Sequence, residues 1–137
     1  MIKYNNAPTI VVEDDVLSPD LCDRIISLAT NKGLGDNLVN RDGEYIQDEA
    51  RTSKGTFFSY GNNNVLDSVI EAFSGMCGLP PTRLEPVSIQ RYQPGQEYKP
   101  HYDAFLPDEM GEMPEESKIK QGGNRCVTMI AYLNDVQ

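Results

Sequence analysis

The chain has 137 residues, 39% of them hydrophobic, and its 12 basic and 21 acidic residues give a formal net charge of −9. This length suits a single domain, and we expect a soluble, cytoplasmic protein because the sequence has neither an apolar run of ~20 residues nor an apolar N-terminal signal segment. Because the chain is acidic and has no basic cluster, nucleic acid is not an expected partner. The three cysteines are too far apart for a disulfide framework or a zinc knuckle.

The N-terminal half of the sequence predicts two amphipathic helices. Ser18 is a suitable N-cap, Pro19 suits the first helical position, and apolar residues recur at helical spacing until Gly33, which predicts a helix over about 18–32. A second helical pattern covers about 63–77 and ends at a glycine followed by two prolines.

Strand signals dominate the rest of the chain. The Gln93-Pro94-Gly95-Gln96 stretch has Pro and Gly where a type II turn requires them. Polar segments at 33–50 and 106–123 are predicted to be loops. Strands are predicted at 9–13, 55–60, 85–92 and 125–133. Helices followed by strands indicate an α+β domain, with the helices packed on one face of a mainly antiparallel sheet.

The stretch His101-Tyr102-Asp103 contains the only histidine of the chain. Alternate residues of an extended strand point to the same side, and Pro100 favours an extended conformation before it, so His101 and Asp103 are expected to face one ion. An imidazole and a carboxylate, with a second imidazole, form the facial triad of non-haem Fe(II) oxygenases. The alternative for these two residues is a surface ion pair or a hydrogen bond within a loop. A zinc hydrolase site formed by His101, Asp103 and a cysteine is a further alternative, but the cysteine spacing does not favour it.

Hydroxyl groups are expected around this pair. Tyr92 lies on the preceding predicted strand, and Thr128 and Tyr132 share one face of the later one. A pocket for an anionic ligand beside a metal needs such donors among apolar walls. The alternative for the two tyrosines is that they are half-buried core residues.

Four segments in this order resemble the catalytic domain of prolyl 4-hydroxylases, which are Fe(II)- and 2-oxoglutarate-dependent dioxygenases. They read VVEDDVLSPDLCDRIISLA, RTSKGTFF, LEPVSIQRYQPGQEYKPHYDAF and GGNRCVTMIAYLNDV, and together they extend over nearly the whole chain. The resemblance implies one domain over 1–137 with a double-stranded β-helix (jelly-roll) core and N-terminal helices packed on one sheet. It also implies hydroxylation of peptidyl proline at C4, with 2-oxoglutarate converted to succinate and CO₂ and with ascorbate keeping the iron reduced.

The resemblance also implies roles for individual residues. His101 and Asp103 would ligate Fe(II). The 2-oxoglutarate site would include Tyr92 and Tyr132, and the groove for a proline-containing peptide would include Arg51, Ser53, Glu85, Tyr98 and Arg125. Thr128, which shares the predicted strand face of Tyr132, is added to the 2-oxoglutarate site as a hydroxyl donor on its position alone. On the residues alone, a surface ion pair is the alternative for Arg51, and a salt bridge is the alternative for Glu85 and for Arg125.

The sequence departs from the family pattern after Tyr132. The family continues with more strands, a distal histidine ligand and a basic residue for 2-oxoglutarate, whereas this chain ends at Gln137 and has one histidine. We therefore expect a C-terminally incomplete jelly roll, weak or no activity of the chain alone, and a possible homo-oligomer that covers the incomplete sheet. Two other readings remain open: a non-catalytic module that binds proline-rich peptides, and a structural domain in which His101 and Asp103 are only a hydrogen-bonded pair.

Overall fold

The computed structural model describes residues 2–6, 8–41, 44–107 and 123–135, which form two helices and several short strands. Within them no helix is long and apolar enough to cross a membrane. The three cysteines are free. In chain order the elements are β1 Ile2–Asn6, β2 Thr9–Val12, α1 Pro19–Lys32, β3 Gly35–Asp36, β4 Val39–Arg41, β5 Glu44–Ile46, β6 Lys54–Phe58, α2 Asn64–Cys77, a 3-10 turn Pro81–Arg83, and β7 Val87–Arg91.

Both helices begin after a polar N-cap residue and end at a glycine, as the sequence predicts. The Ser18 hydroxyl accepts a hydrogen bond from the Leu21 backbone N–H at 3.3 Å, which satisfies one of the free donors in the first turn of α1. The Asn63 side chain caps α2 in the same way at the Val65 N–H, 3.0 Å away. Gly78 ends α2 in the left-handed conformation, φ 72°, which a residue with a side chain rarely adopts.

The strands form one three-stranded antiparallel sheet and two separate pairs. The order of the sheet is β3-β6-β7, and β6 and β7 run from Lys54 opposite Arg91 to Phe58 opposite Val87. The separate pairs are β1 with β2 and β4 with β5. The described residues therefore form an α+β arrangement with two helices, while the two facing sheets of a jelly roll stay a prediction.

The hydrophobic core lies between the helices and one face of this sheet. Ile25 and Ala29 of α1 pack with Leu66 and Val69 of α2 and with Ile89 of β7, and all five are buried. Full burial of an aliphatic side chain of this size stabilises a fold by about 1.5–3 kcal/mol. Because both helices pack on the sheet face that carries Ile89, they leave the other face open.

Three predicted segments differ from the structure or lie outside the described part. The predicted loop 33–50 contains the short strands β3, β4 and β5. β3 pairs with β6, and β4 pairs with β5, so their backbone groups have partners that the sequence pattern does not reveal. The predicted strand 125–133 forms no ladder, since no neighbouring strand pairs with it among the described residues. The self-association expected of that region stays a prediction, and most of the predicted loop 106–123 falls at residues 108–122, outside the described ranges.

Candidate active site

The open face of the sheet carries a cleft of about 220 Å³. Because side chains alternate along a strand, Thr56 and Ile89 point to the core while Phe57, Ser88 and Gln90 line the cleft. Six of the predicted site residues also line it: Arg51, Glu85, Tyr98, His101, Asp103 and Arg125.

The chain returns to this cleft through the predicted turn. The Gln96 N–H donates to the Gln93 carbonyl at 2.9 Å, and Gly95 has φ 83°, as a type II turn requires at its third residue. Beyond the turn, the Lys99 N–H donates to the Ala50 carbonyl at 2.8 Å. This backbone contact fixes the start of the segment that carries His101.

His101 and Asp103 face each other, although they lie in an irregular segment and not on a strand. His101 Nδ1 lies 2.8 Å from the Lys99 carbonyl oxygen, which only accepts, so Nδ1 carries a hydrogen. His101 Nε2 lies 3.1 Å from Asp103 Oδ1. In the imidazolium form Nε2–H donates to this oxygen as a charge-assisted hydrogen bond, which is the ion pair considered as the alternative role of the two residues. In the neutral form with its hydrogen on Nδ1, two acceptors meet at a distance that a shared cation would stabilise.

The Asp103 carboxylate is held from its other side. Thr128 Oγ1 donates to Asp103 Oδ2 at 2.6 Å, and Arg125 Nη1 donates to the Asp103 backbone carbonyl at 3.0 Å. The Thr128 hydrogen bond lowers the pKa of Asp103, with further lowering by His101 and Arg125 and partial opposition from burial. Asp103 is therefore ionised at neutral pH and presents Oδ1 to His101.

Arg125 and Glu85 form the ion pair considered as their alternative role. The Arg125 Nε and Nη2 atoms donate to the two Glu85 carboxylate oxygens at 2.6 and 2.9 Å. This bidentate contact raises the pKa of Arg125. The guanidinium also lies 4.9 Å from the Phe105 ring centre, so it forms a fixed, planar part of the cleft wall.

A stack of three side chains forms another part of the wall. The Tyr98 ring is stacked on the His101 imidazole, and the Arg51 guanidinium carbon lies 4.7 Å from the centre of the Tyr98 ring. Arg51 Nη1 reaches the Leu38 carbonyl at 3.4 Å, whereas the buried Arg51 Nε has no hydrogen-bond partner in the described part of the chain. The Arg51 guanidinium is thus held against Tyr98 and lines the same cleft as the His101–Asp103 pair.

Four predicted site residues do not line the cleft. Ser53 is 1% exposed, and its hydroxyl accepts from Asn37 Nδ2 at 2.9 Å. The predicted 2-oxoglutarate residues are not gathered in the cleft: Thr128 is bonded to Asp103, the Tyr92 hydroxyl donates to Gln90 at 3.0 Å, and Tyr132 is 76% exposed.

The sequence-based reasoning also missed a contributor to the site. The Asn124 side chain bonds both backbone groups of Phe105, with its Oδ1 accepting from the N–H and its Nδ2 donating to the carbonyl, each at 2.9 Å. No spacing or composition marks this residue, because the contact joins segments 19 residues apart. Only its place directly before Arg125 could have drawn attention to it.

The donor atoms present fit a divalent metal ion. Two adjacent ligands of an octahedral ion, each at about 2.1 Å from it, lie about 3 Å apart, which matches the distance between His101 Nε2 and Asp103 Oδ1. The described residues contain no group of three or more His, Cys, Asp or Glu side chains that could hold a metal. Two protein ligands are therefore available here, and the other coordination positions are open to water or a cosubstrate.

The known proteins to which this chain is similar are prolyl 4-hydroxylases. No protein-family model matches the chain. Prolyl 4-hydroxylase 5 of Arabidopsis thaliana is 33% identical over 130 residues, which cover 94% of this chain and 42% of that protein. Two further proteins of the same plant match in the same way: probable prolyl 4-hydroxylase 8, 30% identical over 130 residues (94% of this chain, 42% of that protein), and prolyl 4-hydroxylase 1, 28% identical over 132 residues (94% and 44%). The chain spans less than half the length of these curated relatives.

Proposed function

Since this chain carries a prolyl 4-hydroxylase-like domain, we propose that it provides the iron-binding part of an Fe(II)- and 2-oxoglutarate-dependent dioxygenase that hydroxylates peptidyl proline. The observation that carries the proposal is the His101–Asp103 pair, in which His101 Nε2 and Asp103 Oδ1 face each other at 3.1 Å in the wall of a cleft. A jelly-roll core and ascorbate as reductant are part of the same proposal.

His101 and Asp103 would hold the metal. The Lys99 carbonyl keeps the hydrogen of His101 on Nδ1, which leaves Nε2 free to bind, and such outer contacts fix both the tautomer and the ring orientation. Bound Fe(II) with 2-oxoglutarate and O₂ would supply the oxidation of the prolyl C4–H bond to an alcohol, with release of succinate and CO₂. Because the described chain offers two protein ligands, we expect slow turnover from it alone.

The cleft wall beside the pair suits an extended, proline-containing peptide. A prolyl residue has no N–H, so such a peptide presents carbonyl acceptors and few donors. The Arg51 guanidinium lines the cleft and can donate to one of these carbonyls, and the Tyr98 ring offers an apolar surface next to His101. The Arg125–Glu85 pair would confine the peptide from the other side.

The proposal is tested by incubating the chain with Fe(II), 2-oxoglutarate, ascorbate and poly(L-proline) and measuring oxygen incorporation by mass spectrometry. We expect incorporation that depends on both Fe(II) and 2-oxoglutarate and is lost in His101→Ala and Asp103→Asn. Asp23→Asn, which removes an exposed carboxylate of α1, is the matched control and should retain it. Incorporation that persists in His101→Ala would contradict the proposal.

A peptide-binding module without catalysis is the second candidate. It is favoured by the two-ligand donor set and by a cleft wall that is held together by protein contacts alone. Such a module would bind poly(L-proline) with the same affinity in EDTA and in Mn(II), and would incorporate no oxygen. A metal-dependent affinity would exclude it.

A further inference from the structure

The site is built from two segments, residues 101–105 and residues 123–128, which are connected by side chains and not by strand pairing. Residues 101–105 and 123–128 form no backbone pairing with each other. The second segment nevertheless reaches the first through three side chains, those of Asn124, Arg125 and Thr128. These contacts decide how the Asp103 carboxylate is presented to His101.

The contact from Thr128 is the one that reaches the carboxylate itself. Its hydroxyl donates to Asp103 Oδ2 at 2.6 Å, the short distance typical of a hydrogen bond to a charged oxygen. A carboxylate with one oxygen held in this way cannot rotate freely about its terminal torsion. The other oxygen, Oδ1, is thereby directed to His101 Nε2.

Asn124 ties the segment that carries Thr128 to the segment that carries Asp103. Its amide bonds the N–H and the carbonyl of Phe105, as a neighbouring strand would, and its Oδ1 also accepts from the Arg125 N–H at 2.8 Å. Arg125 then donates to the Asp103 carbonyl. The Asp103 end of the contact is thus held by a further hydrogen bond, and the segment that carries Thr128 is tied to residues 103–105 through Asn124 and Arg125.

We propose that Thr128 is a positioning residue that orients the Asp103 carboxylate for cation binding by the His101–Asp103 pair. Its one hydroxyl hydrogen is used on Asp103, so it is not available to an anionic cosubstrate, which is the role that its predicted strand face suggested. The inference rests on the proposed function only in taking the cation to be a metal ion. The orientation itself is a property of the metal-free chain.

The orientation can be measured without any metal, because His101 is the only histidine. A long-range ¹H–¹⁵N spectrum of the imidazole in EDTA reports Nε2 as a single resonance. We expect Asp103→Asn to shift this resonance, Thr128→Val to shift it in the same direction, and Thr128→Ser to restore the wild-type position. A Thr128→Val spectrum identical to wild type, or an Nε2 resonance that Asp103→Asn leaves in place, would overturn the inference.

Metal affinity gives the second readout and separates this inference from the proposed function. By calorimetry with Mn(II), we expect Thr128→Val to bind about 10–100-fold more weakly than wild type, the usual effect of losing an outer partner of a metal ligand, and Thr128→Ser to bind nearly as well as wild type. Equal affinities for wild type and Thr128→Val would refute the positioning role while the metal site stands. Absence of Mn(II) binding to wild type would count against the proposed function, and the imidazole spectra would still decide the role of Thr128.

Discussion

The Tyr98 ring lies against the His101 imidazole, with ring centres 3.7 Å apart and 22° between the planes. The Arg51 guanidinium carbon lies 4.7 Å from the centre of the Tyr98 ring, and the backbones of the two residues form an isolated β-bridge. One stack therefore connects the proposed peptide groove with a proposed metal ligand. Changes in the groove should consequently be measurable at the metal.

Removing the aromatic ring of Tyr98 should weaken metal binding although Tyr98 is not a ligand. We expect Tyr98→Leu to lower Mn(II) affinity by about tenfold, since the imidazole loses the surface that fixes its plane. Tyr98→Phe keeps the ring and serves as the matched control, with affinity close to wild type. Equal losses in both variants would show that the hydroxyl, and not the stack, matters.

Arg51 should contribute to peptide binding through its guanidinium, which lines the cleft. We expect Arg51→Ala to bind fluorescently labelled poly(L-proline) about tenfold more weakly by fluorescence polarisation, which is about 1.4 kcal/mol. Arg24→Ala, on the exposed side of α1, removes the same charge away from the cleft and should leave the affinity unchanged. A similar loss in both variants would indicate a general charge effect.

Ser53 should act on stability and not on peptide binding. Ser53→Ala leaves the buried Asn37 amide without its acceptor, and we expect the free energy of unfolding in urea to fall by about 1–3 kcal/mol. Peptide affinity should be preserved under conditions where the variant is folded. The exposed Ser59→Ala is the control, with a change within about 0.5 kcal/mol. A stable Ser53→Ala variant with impaired peptide binding would support the groove role that the resemblance implies.

The packing of the two helices on the sheet should dominate stability. Leu66 is 1% exposed, so Leu66→Ala opens a cavity in the core and should cost about 2–5 kcal/mol in urea unfolding. Met76→Ala on the exposed side of the same helix should cost far less. Comparable losses at the two positions would contradict the helix orientation described above.

The sequence predicted the parts of the fold that depend on local chemistry. Helix α1 starts after Ser18 and α2 ends before Gly78 because capping and left-handed glycine are properties of neighbouring residues. The strands β3 to β5 escaped prediction because they are only two or three residues long, which is too short to show a period. The pairing of β3 with β6 also joins segments well apart in the chain.

The same distinction applies to the site. His101 and Asp103 are two residues apart, so their proximity could be predicted, even though the segment is not the strand that was expected. The Thr128 contact with Asp103 joins residues 25 apart and cannot be read from spacing. Ser53 lies two residues after Arg51 in the quoted RTS motif, and the strand period would place both side chains on one side. Ser53 is nevertheless buried and bonded to Asn37, because residues 52 and 53 precede β6 and are not part of a regular strand.

The central claim is that His101 and Asp103 together bind a divalent cation. It is tested most directly by following the imidazole resonances of His101 while substoichiometric Mn(II), which broadens nearby signals, is added to wild type and to Asp103→Asn. We expect selective broadening of the His101 signals in wild type and its loss in Asp103→Asn. Unbroadened His101 signals in wild type, or equal broadening in both proteins, would contradict it.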